Sequence, residues 1–472
     1  MLNPELQNKI DFLWDCFRRS GISDPLIIIE QISYMLFIKN LEIKESEFKE
    51  LGIEDDFFIP KDYRWSNFSK YPVEELFQVV ADRIFPFIKS EVLSKFMRDA
   101  VFEISNPALL GQVVEVLNSI DSHVKGVNGE LYECFLKNLS SSGSNYGQLY
   151  TPRHVIDMVV KMMEPAPGEM ICDPACGTGG FLVSSAKFMS EKYKNKKEID
   201  DIFTEQALTG LDINLSMLKI STMNLLMHDI TISNIDYINV LSSQFNVQKQ
   251  YDLVLTNPPF NGILHSEDIH PWLEGTVRTK RTELLFLALT FRILREGGRC
   301  AIIVPEGILH AQSRAHKTIR RLLVDDHCLE AIVSLPNGVF KPYASISTSV
   351  LIFSKKGTTG KVWYYEMTSD GFTLDNKRNP LEESDVSDIV SQWGSCKTQK
   401  NSQPQPNDKW FWVDKEDIKK MDWNLSISQY KKINYKETFY ESPSVILDRI
   451  EKSEKEIMEL IIDLRGRLTH EE

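Results

Sequence analysis

The sequence lacks long apolar runs, and no stretch approaches the roughly 20 uninterrupted apolar residues that cross a bilayer. Its first residues, Met1-Leu2-Asn3-Pro4-Glu5, also lack the basic segment and apolar run of a secretory signal. Cysteine is scarce: seven residues are scattered along the chain, and only Cys172 and Cys176 lie close together. No second Cys pair or His cluster completes a zinc site with them. These absences favour a cytoplasmic protein without a bound metal.

Positive charge is also in deficit, because 54 Lys and Arg face 67 Asp and Glu, which gives a formal net charge of −13. Neutralising the phosphates of a nucleic acid requires clustered Lys and Arg. This balance argues against a chain that holds nucleic acid alone, so a partner is expected to help if DNA is the substrate. The remaining composition, 42% hydrophobic and 26% charged over 472 residues, is typical of a globular protein of roughly two to four domains.

Apolar periodicity predicts a helical domain followed by an α/β domain. In residues 1–140, apolar residues recur three and four apart, which predicts helices. In residues 141–396, short apolar runs alternate with amphipathic stretches such as 283–295. That alternation predicts a mostly parallel, Rossmann-like sheet flanked by helices. Ligands of such sheets bind beyond the carboxyl ends of the strands.

Residues 397–472 are predicted to form a linker and a helical tail. The polar, proline-containing stretch 397–409 predicts a loop, and Ser442-Pro443 is typical of a helix start. Apolar residues then recur every seven positions and give the helix one apolar stripe, formed by Ile450, Ile457 and Leu464. The stripe either packs on its own chain or docks on a partner subunit, and both readings stay open.

A glycine-rich turn follows the first predicted strand of the α/β domain and reads Asp173-Pro174-Ala175-Cys176-Gly177-Thr178-Gly179-Gly180. Glycines let the backbone turn sharply and approach a ligand closely. Enzymes that bind nucleotides, flavins or methyl donors all use such turns. This one lacks both the Lys-Ser or Lys-Thr of a triphosphate site and the GxGxxG spacing of a dinucleotide site. An Asp at the strand end suits a ligand that carries an ammonium group and hydroxyl donors.

The second predicted strand of this domain ends in Gly210-Leu211-Asp212. An acidic side chain at this position can accept hydrogen bonds from ribose hydroxyls. The alternative is that Asp212 caps the helix that follows. With the glycine-rich turn, the ribose interpretation implies a nucleoside cofactor without pyrophosphate, and S-adenosylmethionine fits that description.

The tetrapeptide Asn257-Pro258-Pro259-Phe260 follows another predicted strand. The prolines stiffen the turn, and the Asn257 side chain and the Pro258 main chain each offer a carbonyl oxygen. Two fixed acceptors can hold both hydrogens of an exocyclic amine and aim its lone pair at a methyl sulfonium. Phe260 is then placed to stack on a base rotated out of a duplex.

These motifs together resemble the N6-adenine DNA methyltransferases, and more closely the modification subunit (HsdM) of type I restriction–modification systems. The resemblance spans the whole chain and is most specific in the segments 147–153, 173–181, 223–228, 257–260, 297–307 and 340–353. It implies a helical amino-terminal domain, a methyltransferase domain and a helical tail. It also implies methyl transfer from S-adenosylmethionine to adenine N6 in DNA.

The resemblance extends the set of site residues and implies partners. The residues expected to bind the methyl donor are Gln148, Tyr150, Thr151, Pro152, Asp173, Ala175, Gly177, Thr178, Gly179, Asp212 and Asn239. Asn239 stands where the family usually has an acidic residue that binds the adenine of the donor. The family assembles two such chains around one sequence-reading specificity subunit, and a separate motor-nuclease subunit performs restriction. The tail helix is then a candidate for docking on a partner.

Alternative readings keep the fold and change the chemistry. The acceptor could be cytosine N4 or a protein glutamine amide, and the non-enzyme alternative is an inactive methyltransferase-like scaffold. Two basic clusters, 278–281 and 314–321, are predicted to be solvated helix or loop faces. The alternative applies to the first cluster, which follows soon after the Asn-Pro-Pro-Phe turn and is placed for contacts with DNA phosphates beside an extruded base.

Overall fold

The structure, a computed structural model, describes residues 4–50, 59–92, 100–121, 126–141, 150–193, 207–230, 234–342, 345–398, 409–431 and 442–468. Contacts divide the chain into two units, Met1–Gln429 and Tyr430–Glu472. The larger unit contains all the strands of the described residues and every residue of the candidate site.

The amino-terminal part of the larger unit is built from helices, and no strand occurs among its described residues. The helices are α1 Pro4–Arg19, α2 Pro25–Glu50, α3 Trp65–Phe68, α4 Val73–Val79, α5 Phe85–Phe87, α6 Pro107–Asn118 and α7 Val127–Ser141. Short π-helical segments, Val80–Ile84 and Ile88–Val92, flank α5. Residues 28–38 of α2 are buried on all sides, which is typical of a helix at the centre of a bundle.

The α/β part contains one nine-stranded sheet in the order β11-β8-β6-β7-β5-β4-β1-β2-β3. The strands are β1 Ile171–Asp173, β2 Leu208–Asp212, β3 Asn234–Tyr237, β4 Tyr251–Thr256, β5 Leu294–Pro305, β6 Cys328–Leu335, β7 Thr348–Ser354, β8 Lys361–Glu366 and β11 Trp410–Asp414. Strands β3, β2, β1, β4 and β5 pair in parallel, whereas β7 is antiparallel to β5 and β6. A separate hairpin joins β9 Asp370–Phe372 to β10 Pro380–Ser384.

Helices follow most strands of the sheet, as the predicted alternation requires. They are α8 Arg153–Met163, α9 Gly180–Lys192, α10 Leu215–Met227, α11 Pro271–Thr276, α12 Thr282–Ile293, α13 Gly307–His310, α14 Arg314–Arg321, α15 Val386–Thr398 and α16 Lys415–Lys420. Strand β4 is buried along its whole length, as expected for a parallel strand covered on both faces. The predicted fold class, α/β with a mostly parallel sheet and a helical amino-terminal part, is confirmed.

Two boundaries differ from the sequence prediction. The helix expected over 283–295 ends at Ile293, because Leu294 already pairs with Tyr251 at the start of β5. The loop expected over 397–409 begins later, because α15 continues to Thr398. Lys397 extends from this helix and donates a hydrogen bond to the carbonyl of Met162 at 3.2 Å. Residues 399–408 lie outside the described part of the chain.

The smaller unit contains one described helix, α17 Pro443–Leu468, which begins where Ser442-Pro443 predicts it. Its apolar side chains are exposed, among them Leu447, Ile450, Ile457, Leu460 and Ile462. Leu464 belongs to the residues whose side chains are not described. None of the helices in the described ranges is both long enough and apolar enough to cross a membrane.

Candidate active site

The loops that follow β1, β2 and β4 share one cavity of about 270 Å³. Nine residues of the predicted site line it: Thr151, Asp173, Ala175, Gly177, Thr178, Asp212, Asn239, Asn257 and Pro259. Apolar side chains complete the lining, including Ile213, Ile238, Val240, Leu241 and Phe286. The glycine-rich turn and the Asn-Pro-Pro turn, which are far apart in sequence, therefore meet in one crevice.

Five predicted site residues do not line this cavity. Tyr150 packs against the helical core, Pro152 precedes α8, and Gly179 precedes α9. Pro258 is buried in the turn. Phe260 is 8% exposed and meets Phe340 edge to face, with ring centroids 5.9 Å apart. The remaining prediction, Gln148, falls outside the described residues.

Backbone geometry explains the glycines of the turn. Gly177 has a φ of 50° and Gly179 a φ of 76°, conformations that glycine adopts without the strain of a Cβ. A Cβ on Gly179 would also lie 2.5 Å from Oγ of Ser221 on α10. A hydrogen bond from Cys176 N to Leu211 O, 3.0 Å long, holds the turn against the end of β2. The glycines therefore allow the loop to turn sharply after β1 and to pack closely against Ser221 of α10.

Asp212 joins two loops at the mouth of the cavity. Its Oδ2 accepts from Gly177 N at 3.0 Å and its Oδ1 from Asn214 N at 2.9 Å. The helix that follows is capped by Asn214 instead, whose side chain accepts from Met217 N. The alternative role of Asp212 as the helix N-cap is therefore wrong, and Asp212 lines the cavity. A ribose-binding role for Asp212 remains a prediction.

The crevice holds two carboxyl groups, those of Asp173 and Asp212, which are largely removed from water. Burial raises the pKa of Asp173 to about 7, and the nearby carboxylate of Asp212 adds to the increase. Burial also raises the pKa of Asp212, although the backbone N–H groups that it accepts from oppose the shift. Removing a carboxylate from water disfavours its charged form. A cationic ligand in this crevice would restore the charged forms, so the site favours a positively charged group.

The catalytic turn presents one acceptor without a partner. Asn257 Nδ2 donates to Thr151 Oγ1 at 2.9 Å, which fixes the amide plane and turns Oδ1 the other way. Among the described residues, Asn257 Oδ1 is buried and has no hydrogen-bond partner. A buried carbonyl without a partner costs free energy unless a ligand donates to it. This oxygen therefore matches a donor group on a ligand, such as an amine.

An ion pair that the sequence does not reveal supports the cofactor loop from the helical part. Arg153 Nη1 contacts Glu133 Oε1 of α7 at 2.8 Å, and Arg153 Nε contacts Asp157 Oδ1 at 3.3 Å. The same guanidinium reaches the carbonyl of Gly180 at 3.5 Å. Glu133 belongs to a predicted packing helix with no catalytic pattern, and nothing in its sequence surroundings indicates this contact.

The fold and the site define a class of protein. A mostly parallel sheet with β1 between β4 and β2, a reversed strand β7 between β5 and β6, a glycine-rich turn after β1 and an acidic end to β2 form the class I methyltransferase architecture. The Asn-Pro-Pro-Phe turn after β4 lines the same cavity as the glycine-rich turn, an arrangement expected of methyltransferases that act on amino nitrogens. A type I restriction–modification methyltransferase subunit from Streptococcus thermophilus shares the fold, with a TM-score of 0.71 over 91% of this chain and 99% of that one at 18% identity.

Comparisons with known proteins give the family. The family model described as N-6 DNA Methylase matches residues 123–438, and that of the HsdM N-terminal domain matches residues 6–117. The EcoEI methylase subunit of Escherichia coli is 32% identical over 98% of this chain and 97% of its own. A chain solved in a study of complex assembly in a type I system is 26% identical, with a TM-score of 0.72 over 99% of both chains. The chain belongs to the N-6 DNA methylase family, among the methylase subunits of type I restriction enzymes.

The ion pair between Arg153 and Glu133 generates a stability prediction. The two side chains are 23% and 20% exposed, so Arg153→Ala leaves a carboxylate poorly solvated. We expect the free energy of unfolding to fall by about 1–2 kcal/mol, measured by urea denaturation. The control is Arg18→Ala, whose pair with Asp15 is 3.9 Å long and exposed, with an expected change below about 0.5 kcal/mol. Equal effects of the two variants would contradict the supporting role of Arg153.

Proposed function

We propose that this chain transfers a methyl group from S-adenosylmethionine to N6 of adenine in DNA. The observation that carries the proposal is the buried, unpartnered Oδ1 of Asn257 in the cavity that the glycine-rich turn also lines. An adenine amine supplies the donor that this oxygen lacks. Because neither turn alone identifies a reaction, their common cavity is the decisive feature.

The residues of the cavity fit S-adenosylmethionine in charge and in polarity. The donor carries an ammonium group and a sulfonium, and the buried Asp173 suits the positive end of its methionine part. Asp212 lies at the end of β2, where a ribose hydroxyl can donate to it. Asn239 Oδ1 accepts from Leu241 N at 3.1 Å, and the apolar side chains beside it suit the two faces of an adenine ring.

The protein contributes position and electrostatics to the transfer. S-adenosylmethionine, when bound, supplies an electrophilic methyl group on sulfur. Asn257 Oδ1 and the carbonyl of Pro258 accept from the two hydrogens of the adenine amine, which favours a pyramidal nitrogen and stabilises its developing charge. Thr151 holds the Asn257 amide in the required orientation. Phe260, whose ring Phe340 holds from one side, is the proposed stacking partner of the base.

Asn257 gives the direct test of this mechanism. Asn257→Ala removes the acceptor, and we expect transfer to fall by about 10²–10³-fold or more, with the dissociation constant of the donor changed little. Thr151→Val should reduce transfer less, since it frees the amide without removing it. The chain is produced with its specificity subunit in cells that lack other DNA methylation, and modified bases are read by mass spectrometry and sequencing. N4-methylcytosine in place of N6-methyladenine, or no modified base, with the wild-type complex would reject the proposal. Equal loss of transfer and donor binding in Asn257→Ala would reject the catalytic role.

Asp173 makes donor binding dependent on pH. Its pKa of about 7 in the protein lies above the ordinary value of 3.8, so the carboxyl is protonated below pH 7 and must lose its proton to bind a cation. We therefore expect donor affinity to rise with pH up to about 7 and then to level off, by at most about tenfold per pH unit. Calorimetry at several pH values measures this effect.

The control for the pH experiment is Asp173→Asn, which cannot titrate at this position. The α-amino group of the donor itself titrates at about 7.7–8.0, so the relevant quantity is the difference between the two proteins. A pH profile of the variant that parallels that of the wild type would contradict the assigned role of Asp173.

We also propose that the chain works inside a cytoplasmic assembly in which two copies flank one specificity subunit, with a motor-nuclease subunit added for restriction. The relatives that cover most of its length are methylase subunits of type I restriction enzymes. The exposed apolar side chains of α17 are the proposed docking surface for the specificity subunit. A helix with such a stripe gains most by burying it against another helix.

The docking role of α17 is tested by Ile450→Glu combined with Ile457→Glu. The side chains are 53% and 55% exposed, so we expect the larger unit to keep its thermal stability while co-purification with the specificity subunit is lost. Glu451→Lys with Glu459→Lys is the control on the same helix, chosen because both positions are exposed and polar. Unchanged assembly of the Ile pair variant would contradict docking through α17.

A further inference from the structure

Two segments of the chain pair with each other directly after the catalytic turn. Residues 262–264 run antiparallel to residues 280–282, and we call these two paired segments the spur. Leu264 N donates to Lys280 O at 2.9 Å, and Thr282 N donates to Gly262 O at 3.0 Å. A Cβ on Gly262 would lie 2.6 Å from Cγ2 of Thr282, so glycine permits the close approach. Thr282 of the spur also donates from Oγ1 to the carbonyl of Pro259 in the catalytic turn at 3.5 Å.

The spur carries an exposed apolar side chain next to the cavity. Leu264 and Thr282 both line the cavity, whereas Ile263 between Gly262 and Leu264 is 80% exposed. Ile263 is paired with Arg281 across the spur. Isolated exposed apolar residues are common on protein surfaces, but this one is held beside the catalytic turn by the pairing of the spur.

Basic side chains continue from the spur on to a neighbouring helix. Arg278, Lys280 and Arg281 are exposed, and Arg281 immediately precedes α12, which packs against α14. Arg314 and Arg321 are exposed on α14. We call these five side chains the basic face. Burial lowers the pKa of His316 on α14, and the charges of Arg320, Arg281 and His310 add to the effect, in keeping with a position of Arg281 close to this helix.

The charges of the basic face are largely uncompensated. Within the described ranges no carboxylate lies at ion-pair distance from Arg278, Lys280, Arg314 or Arg321, while Arg281 contacts Glu283 at 3.3 Å. Asp422 lies beside Arg314 and Arg321 but is paired with Lys317. Arginines elsewhere in the larger unit, such as Arg153 and Arg299, are paired with carboxylates. In a chain of net charge −13, such a face indicates a polyanionic ligand.

We propose that the spur and the basic face bind the DNA duplex around the target base. Ile263 enters the base stack in the space that the extruded adenine leaves, and the basic face contacts the phosphates on either side. Apolar side chains that insert between bases stabilise distorted duplexes, and extruding a base requires unstacking energy that such contacts offset. This inference rests on the proposed function, since it places DNA at the same site.

Ile263 is tested with the complete complex of the chain and its specificity subunit. The substrate is a short duplex with the sequence that the complex methylates in cells, used with a normal base pair or with a mismatch at the target adenine. We expect Ile263→Ala to reduce kcat/KM on the paired duplex by about tenfold and to leave the mismatched duplex, in which extrusion is easier, nearly unchanged. Leu381→Ala, an exposed apolar position on β10, is the control and should affect neither substrate. Equal loss on both duplexes, or no loss, would overturn the role of Ile263.

The basic face is tested by Arg278→Gln, Arg314→Gln and Arg321→Gln together. Each lost phosphate contact lowers the slope of log affinity against log salt by roughly 0.9, so we expect a slope smaller by about 2–3 and weaker binding to any duplex. The matched control replaces three exposed cations of the helical part, Lys61, Lys70 and Arg83, by Gln and changes the net charge equally. A slope identical in the two triple variants would overturn the proposal, as would unchanged DNA affinity with lost subunit assembly.

These outcomes separate the inference from the function on which it rests. A wild-type complex that never methylates adenine rejects the proposed function. A wild-type complex that methylates adenine, with variants of the spur and the basic face that bind DNA as the wild type does, rejects only this inference.

Discussion

The parallel pairing of β1 with β4 is the constraint on which the site depends. Ile171 faces Leu253 and Cys172 faces Val254, so the two strands end at the same edge of the sheet. Asp173 and Asn257, each just beyond its strand, are therefore brought to one cavity from distant parts of the sequence. A slip of one residue in either strand would exchange its two faces and turn one of these side chains away.

The helical part belongs to the same mechanical unit as the sheet. Four methionine and isoleucine side chains of α10 lie in its core, namely Met217, Ile220, Met223 and Met227. A second link runs from Glu133 to Arg153, two residues beyond the threonine that orients Asn257. A displacement of α7 would therefore shift the side-chain amide of Asn257 through the short connection from Glu133 to Arg153 and Thr151. Because a misplacement of about 1 Å can cost a large factor in rate, we regard the helical part as a positioning element.

Much of the architecture follows from local pattern, and the rest depends on tertiary contacts. The mainly apolar runs at 170–172, 251–255 and 300–304 predict strands because a parallel strand covered on both faces needs apolar residues along most of its length. The glycine-rich turn is visible because φ values such as that of Gly179 require glycine. Strand β10, by contrast, is exposed at every residue and carries no apolar pattern. Its place depends on the antiparallel pairing with β9.

Site residues divide in the same way. The residues found by motif are those whose chemistry is local: an Asp at a strand end, or an Asn before two prolines. Phe340 is recognisable only as part of a matching segment, since its contact with Phe260 joins residues far apart in the chain.

The local distribution of charge cannot be predicted from the overall composition. A net charge of −13 does not reveal the basic face beside the catalytic turn. The two charge distributions are compatible: an acidic surface elsewhere weakens non-specific binding to DNA. Local cations then act only once a partner has placed the target, which leaves sequence selection to that partner.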